Sequence, residues 1–433
     1  MFSPHKNSYL QLVCAVNPRV INKAVDQAMQ VKRLDPHTEL PAAKRLESMQ
    51  PSLYAPHVDI TRARLGFGRT GLRLLVRDLH SDDQLIQLQA LHSVLDQLQI
   101  SESAMYLIDL HVAHRLVDLM LSRNPIVMEK VCNIISHLAT SYQGRRQLMT
   151  RPKVITNLMW LAMRERKEVR YAAAHALNAL SYHLCCCELM MTVEGIVENL
   201  IKLIKKDHTG TVLLHLRTLT NLTDWDPVPA LKANAFQVSL ALFVNNDPRI
   251  VAAAMDCMAQ LCCHSVGKEL ADANDLNFVL LGHLHSNSMA VRISAVGLMQ
   301  YATLTARSKW RAKEICAELT EALVGLCRCT KSPALQLRSF QVLINLCDCP
   351  DIRKHVGARW MDAVRSAAVC PAELWVGTDE VDDDVPQNAL AVCQEFRKGK
   401  DDEPDAVNLC TYIRQVLDAK ERLIRAINWK PYD

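Results

Sequence analysis

The sequence predicts an all-α protein built as a superhelical solenoid, and three observations point there. Glycine is scarce, at 13 of 433 residues, where average usage would place roughly 30. Aromatics make up 5% against 49% hydrophobic residues, so the core is aliphatic and suits packed helices. Strands need tight turns and tight turns need glycine, which disfavours an all-β fold or a dinucleotide-binding sheet. The third observation is internal repetition in a chain too long for one compact core.

One helical pattern recurs: small–apolar–x–polar–Leu–small. It reads SVLDQLQ (93–99), NIISHLA (133–139), HALNALS (175–181), RTLTNLT (217–223), DCMAQLC (256–262), VGLMQYA (296–302) and QVLINLC (341–347). The anchors are Leu98, Leu138, Leu180, Leu222, Leu261, Tyr301 and Leu346, which subtraction places 40, 42, 42, 39, 40 and 45 residues apart. Three residues before each anchor stands Leu95, Ile135, Leu177, Leu219, Met258, Leu298 or Leu343, always large and aliphatic.

Capping chemistry keeps the same phase. Pro125, Pro248 and Pro333 each lie thirteen residues before an anchor, behind Asn124, Asp247 and Ser332. Proline at the first helical position behind such a cap is a helix-start signal. Upstream in each unit a second amphipathic helix is expected, as at 153–166 and 196–207, preceded by a shorter apolar segment such as GRRQLMT (144–150) or GKELADA (267–273). Three helices in a unit of about 40–47 residues define the armadillo repeat, so residues 58–370 are expected to form an armadillo-like α-solenoid of about seven repeats.

The ends differ. Residues 1–57 are expected to be an extension, helical in part around 9–34, with no in-phase repeat. Residues 371–405 read as an acidic linker, carrying DEVDDD (379–384) and DDEPD (401–405). Residues 406–433 hold an amphipathic helix in which Ala406, Leu409, Ile413, Val416, Lys420, Leu423 and Ile427 follow a heptad-like spacing. Leu417 and Ile424 widen that stripe, which suits docking onto the solenoid better than a coiled coil.

Composition narrows the function. A net charge of +4 is too mild to imply nucleic acid, and no apolar run approaches the roughly 18 residues of a membrane span. The opening MFSPHKNSYLQLVCAV lacks the cationic start of a secretory leader, so the 16 cysteines are expected as reduced thiols in a cytoplasmic protein. Cys263 and Cys347, just past a leucine anchor, are expected in the core. Cys185, Cys186 and Cys187 form the triplet where thiol reactivity would be sought, though nothing in the sequence shows a depressed pKa.

Gly66-x-Gly68-x-x-Gly71 matches a dinucleotide fingerprint but lacks the surrounding βαβ unit that would give it meaning. Cys262-Cys263-His264, His111-x-x-His114 and His283-x-His285 lack the paired spacing of a zinc site. No catalytic residue, metal, cofactor or small-molecule substrate is assigned.

Solenoids bind partners along the inner face made by the third helix of each armadillo unit. Two positions one turn apart read Ser93/Gln97, Asn133/His137, His175/Ala179, Arg217/Asn221, Asp256/Gln260, Val296/Gln300 and Gln341/Asn345. This ladder suits an extended peptide backbone or a partner helix as well as it suits a solvated helix face. The Trp–Asn pairs of nuclear-import receptors are not matched, because no Trp stands four residues before Asn221 or Asn345. Arg62, Arg69, Arg73 and Arg77 form a basic stripe, read as a solvated face or as a docking patch for an acidic surface.

The run DITRARLGFGRTGLRLLVRDLHSDDQLIQLQALHSVLDQL (59–98) resembles the opening repeat of the radial spoke head 14 family, with Ile60, Thr61, Arg62, Ala63, Phe67, Gly68 and Arg69 at matching places. The resemblance implies a structural subunit of the radial spokes of motile cilia and flagella. It would be localised to the axoneme and would bind other spoke proteins through its repeats. That family has no known active site. The alternative is a cytoplasmic adaptor that binds extended peptides of partner proteins.

Overall fold

The computed structural model describes residues 61–63, 68–151, 153–370 and 406–430, and among these the secondary structure is helical with no strand. The chain divides into Met1–Arg62 and Ala63–Asp433. The expected extension 1–57, the acidic linker 371–405 and Gly66 lie outside the described residues.

Seven third helices follow the predicted phase: Gln84–Gln97, Pro125–Thr140, Lys167–Ser181, Thr209–Trp225, Pro248–Leu261, Met289–Ala302 and Pro333–Leu346. Each packs on its neighbours in chain order, giving the all-α armadillo-like solenoid. The array starts on Gly68–Asp78, and repeats two to seven each add two shorter helices before the third, as with Ser101–Asp109 and Val112–Leu119 in repeat two. The anchors Leu138, Leu180, Leu222, Leu261 and Leu346 are buried; the first and sixth, Leu98 and Tyr301, are half-buried.

The caps form as their chemistry dictates. Asn124 accepts from the Ile126 amide at 3.0 Å, Asp247 from Arg249 at 2.9 Å and Ser332 from Leu335 at 3.3 Å. Second helices end sooner than their apolar pattern suggested, at Ala162 and Ile204. In both places the expected charged tail leaves the helix: Arg164 and Glu165 give their carbonyls to Arg170, and Asp207 turns in between Arg170 of the preceding third helix and His215 of the next.

The corner between first and second helices needs a left-handed residue in four repeats. His111, Gly195, Asn234 and Asp275 take φ of 57°, 74°, 61° and 48° there. Three of these belong to residue types that tolerate that region among non-glycines. The first helices begin tight against the preceding anchor. A Cβ on Gly144 would lie 2.2 Å from the Leu138 carbonyl oxygen, and one on Gly267 would lie 1.9 Å from that of Leu261. This contact explains the glycine at the third position of two first helices.

At the far end, Pro350–Arg359, Met361–Ser366 and Ala406–Asn428 form a terminal set, with the last helix lying on the third helix of repeat seven. Val416, Ala419, Leu423 and Ile427 face the solenoid and are buried. The seam lysine, Lys420, is accommodated because its Nζ donates to the Ala367 carbonyl at 2.8 Å. This closes the exposed end of a stack whose units cannot bury their faces alone.

Candidate protein-binding face

The predicted ladder divides into two parts. In repeats two to four, His137 and His175 are exposed, while Asn133, Arg217 and Asn221 are half-buried. In repeats five to seven, Gln260, Gln300, Gln341 and Asn345 are half-buried, and Asp256 corrects the expectation of an accessible face. Asp256 is 6% exposed, and Arg338 of repeat seven lies near enough for its charge to be felt there. Burial pushes the Arg338 guanidinium down from its ordinary pKa, and the charges of Asp256 and Tyr301 oppose this.

Two of the three ladder asparagines also serve the stack. Asn221 Nδ2 donates to Ser181 Oγ at 2.9 Å, and Asn345 Nδ2 donates to the Gln300 carbonyl at 3.0 Å. Each bond ties a third helix to the one before it.

Three inner-face aromatics escaped the two-position ladder. Tyr171 and Tyr182 fall on the His175 face at helical spacings of four and seven residues, and Trp225 follows Asn221 by four. They are 51%, 43% and 44% exposed, in a molecule whose other third-helix apolar residues are mostly buried. Tyr171 stacks on His175 at 6.4 Å and 17°. Burial pushes the Tyr182 hydroxyl up in pKa, against the Asn178 hydrogen bond and the Arg217 charge. Burial and the neighbouring His137 push His175 down. The detectable signal was the third step of the same helical face, beyond the two positions read.

The basic stripe lies elsewhere. Arg69, Arg73 and Arg77 are exposed on Gly68–Asp78. Arg69 sits 5.2 Å over the Tyr106 ring, Arg73 Nε donates to the Tyr106 hydroxyl at 2.8 Å, and Arg77 pairs with Asp78 at 3.2 Å. Arg62 belongs to the other unit and donates to Thr61 Oγ1 at 3.0 Å.

Thiols divide by burial. Cys347 is in the core as expected, whereas Cys263 is exposed and its neighbour Cys262 fills the core position. Of the triplet, Cys185 is exposed while Cys186 and Cys187 are buried, and burial pushes each of the latter thiols up to about 12. That is the reverse of thiolate activation. Among the described residues no group of three or more His, Cys, Asp or Glu side chains could hold a metal ion, and no helix is long and apolar enough to cross a membrane. Gly68 and Gly71 lie in the first turn of a helix.

The architecture and face define an armadillo-repeat solenoid, and solved structures share its fold. An engineered protein matches with a TM-score of 0.59 at 17% identity, over 81% of this chain and 89% of the other. A designed armadillo repeat protein in complex with the peptide (KR)4 matches at 0.50 and 17% identity, over 53% and 99%. Computationally designed armadillo repeat proteins for modular peptide recognition match at 0.50 and 16% identity, over 53% and 99%. No protein-family model and no curated protein matches the chain.

Proposed function

We propose that this chain is a non-catalytic armadillo scaffold that binds protein segments along its inner face. The observation that carries the reading is the row of exposed Tyr171, Tyr182 and Trp225 along the inner helices of repeats three and four, with Arg217 next to Tyr182. Tyr, Trp and Arg are the side chains that most often anchor protein interfaces. The peptide bound by one designed armadillo protein of the same fold supports the reading by analogy of architecture.

The particular assembly we propose is the radial spoke of the motile axoneme, where the solenoid would hold neighbouring spoke proteins. The support is the 59–98 resemblance, read on Ile60, Thr61, Arg62, Ala63, Phe67, Gly68 and Arg69. Tagging the protein in a flagellated cell and extracting the axonemes with detergent tests it. Retention with the axoneme and co-purification of spoke subunits is the expected result. Complete release into the soluble fraction would sink the spoke assignment and leave the cytoplasmic peptide-binding adaptor.

A further inference from the structure

The inner face is open in one stretch and self-filled in another. In repeats five to seven the Arg338 side chain lies along it: Nη1 donates to the Ile293 carbonyl at 3.3 Å and passes over Gly297. Its charge acts on Asp256 of repeat five, so one arginine of repeat seven reaches across repeat six. A ligand backbone meets an occupied surface there.

Among the described residues, repeats two to four carry no such filler. His137 and His175 are exposed, and Arg217 is half-buried between Tyr182 and Asn221. None of the three cationic or titratable side chains forms an ion pair with any described residue. Lys130, on the same face of repeat two, is matched by Glu129 at 3.7 Å. Two carboxylates on the third helices of this stretch are exposed: Glu168, three residues before Tyr171, and Asp224, two turns beyond Arg217, whose charge falls on Cys187, Cys263 and Tyr301. Arg217 is therefore a half-buried guanidinium with no carboxylate partner among the described residues, next to the Tyr182 phenol and one turn before the Asn221 carboxamide.

We infer that the occupant of repeats two to four is an extended acidic segment of a partner protein. One of its Asp or Glu carboxylates is held by Arg217, and apolar side chains on either side lie on Tyr171, Tyr182 and Trp225. The inference rests on the inner-face reading above and adds the charge and register of the ligand. A guanidinium with two free edges takes a carboxylate in a bidentate pair, and partial burial strengthens that pair over a surface contact. Asn221 keeps its carbonyl oxygen for a peptide N–H, since its amide nitrogen is committed to Ser181. A basic segment, by contrast, is repelled by the Arg217 charge.

Fluorescence anisotropy on the full chain tests this with three labelled dodecapeptides. They share one leucine-bearing frame and differ only in carrying Glu, Gln or Lys at alternate positions. The Glu peptide is expected to bind at least tenfold more tightly than the Gln peptide, and the Lys peptide more weakly still. Arg217→Glu should remove that preference and Tyr182→Ala should weaken all three peptides, both with an unchanged far-UV circular dichroism spectrum. Arg73→Glu, on the distant stripe, should change nothing. Equal binding of the three, or preference for Lys, overturns the acidic assignment and leaves inner-face binding standing. Loss of binding on Arg73→Glu rather than Arg217→Glu places the ligand elsewhere and overturns both. A chain that binds none of the three also overturns the acidic assignment, while axonemal retention still decides the broader function.

Discussion

Arg338 lies across Gly297: its Nη1 is 3.3 Å from the Ile293 carbonyl, and a Cβ on Gly297 would stand 2.6 Å from that nitrogen. Glycine in the sixth third helix therefore exists for an arginine in the seventh. Gly297→Ala is expected to push the guanidinium off its carbonyl and cost about 1 kcal/mol, the value of one hydrogen bond. Arg338→Met should cost somewhat more, because Asp256 loses that charge. In urea titrations the double variant should fall short of the sum of the singles. Strict additivity would show that the two residues are not energetically coupled.

The glycines at the third position of two first helices offer a sharper contrast. Gly144→Ala and Gly267→Ala place a methyl group on backbone carbonyls that cannot swing away, so each should destabilise by about 3 kcal/mol. Gly282→Ala, with nothing within 4 Å of its Cβ, should instead stabilise its helix by about 0.5–1 kcal/mol. Thermal unfolding of the three variants decides this, and equal losses would refute the close-approach account.

Acid stability should depend on Asp207. Its carboxylate accepts from Arg170 Nε at 2.7 Å and faces His215 Nε2 at 3.2 Å, with side-chain exposures of 3%, 18% and 0% for Asp207, Arg170 and His215. Burial alone would raise its pKa, but the hydrogen bonds from His215 and Arg170 outweigh that and hold it below the ordinary value. A depressed folded pKa stabilises above the unfolded value near 3.9, and this contribution fades as pH falls through the folded value. Asp207→Asn should cost about 3 kcal/mol at neutral pH. It should also flatten the loss of stability below about pH 4, read as unfolding midpoints at stepped pH.

Thiol chemistry should follow exposure. Among the described cysteines, alkylation of the native chain should modify Cys185 and Cys263 first, while Cys257, Cys262 and Cys347 stay protected until denaturation. Burial pushes these three thiols up to about 11, 12 and 12. Peptide mapping over a time course would show it, and early labelling of Cys186 or Cys187 would contradict their burial.

Much of the array was legible because its signals are local. Leu138, Leu180, Leu222, Leu261 and Leu346 recur at one phase since every repeat buries the same helix edge, and Pro125, Pro248 and Pro333 mark starts through backbone chemistry alone. The face was legible only in part. Reading two positions per helix found Arg217 and Asn221 but missed Tyr171, Tyr182 and Trp225, which extend the same stripe by further turns. It also counted Asp256 as accessible, although it is buried and the arginine whose charge acts on it stands 82 residues later in the sequence.

The sequence alone determined helix content, repeat phase, capping and the aliphatic core, since each is set by residues within one or two turns of each other. Tertiary structure decided what those helices present. Whether a polar residue on the inner face meets solvent, a neighbouring helix or a distant arginine depends on how successive repeats stack. Stacking brings Arg338 over Gly297 and leaves Arg217 with no carboxylate partner among the described residues. It also lays the terminal helix on repeat seven, where the lysine in its seam finds the Ala367 carbonyl.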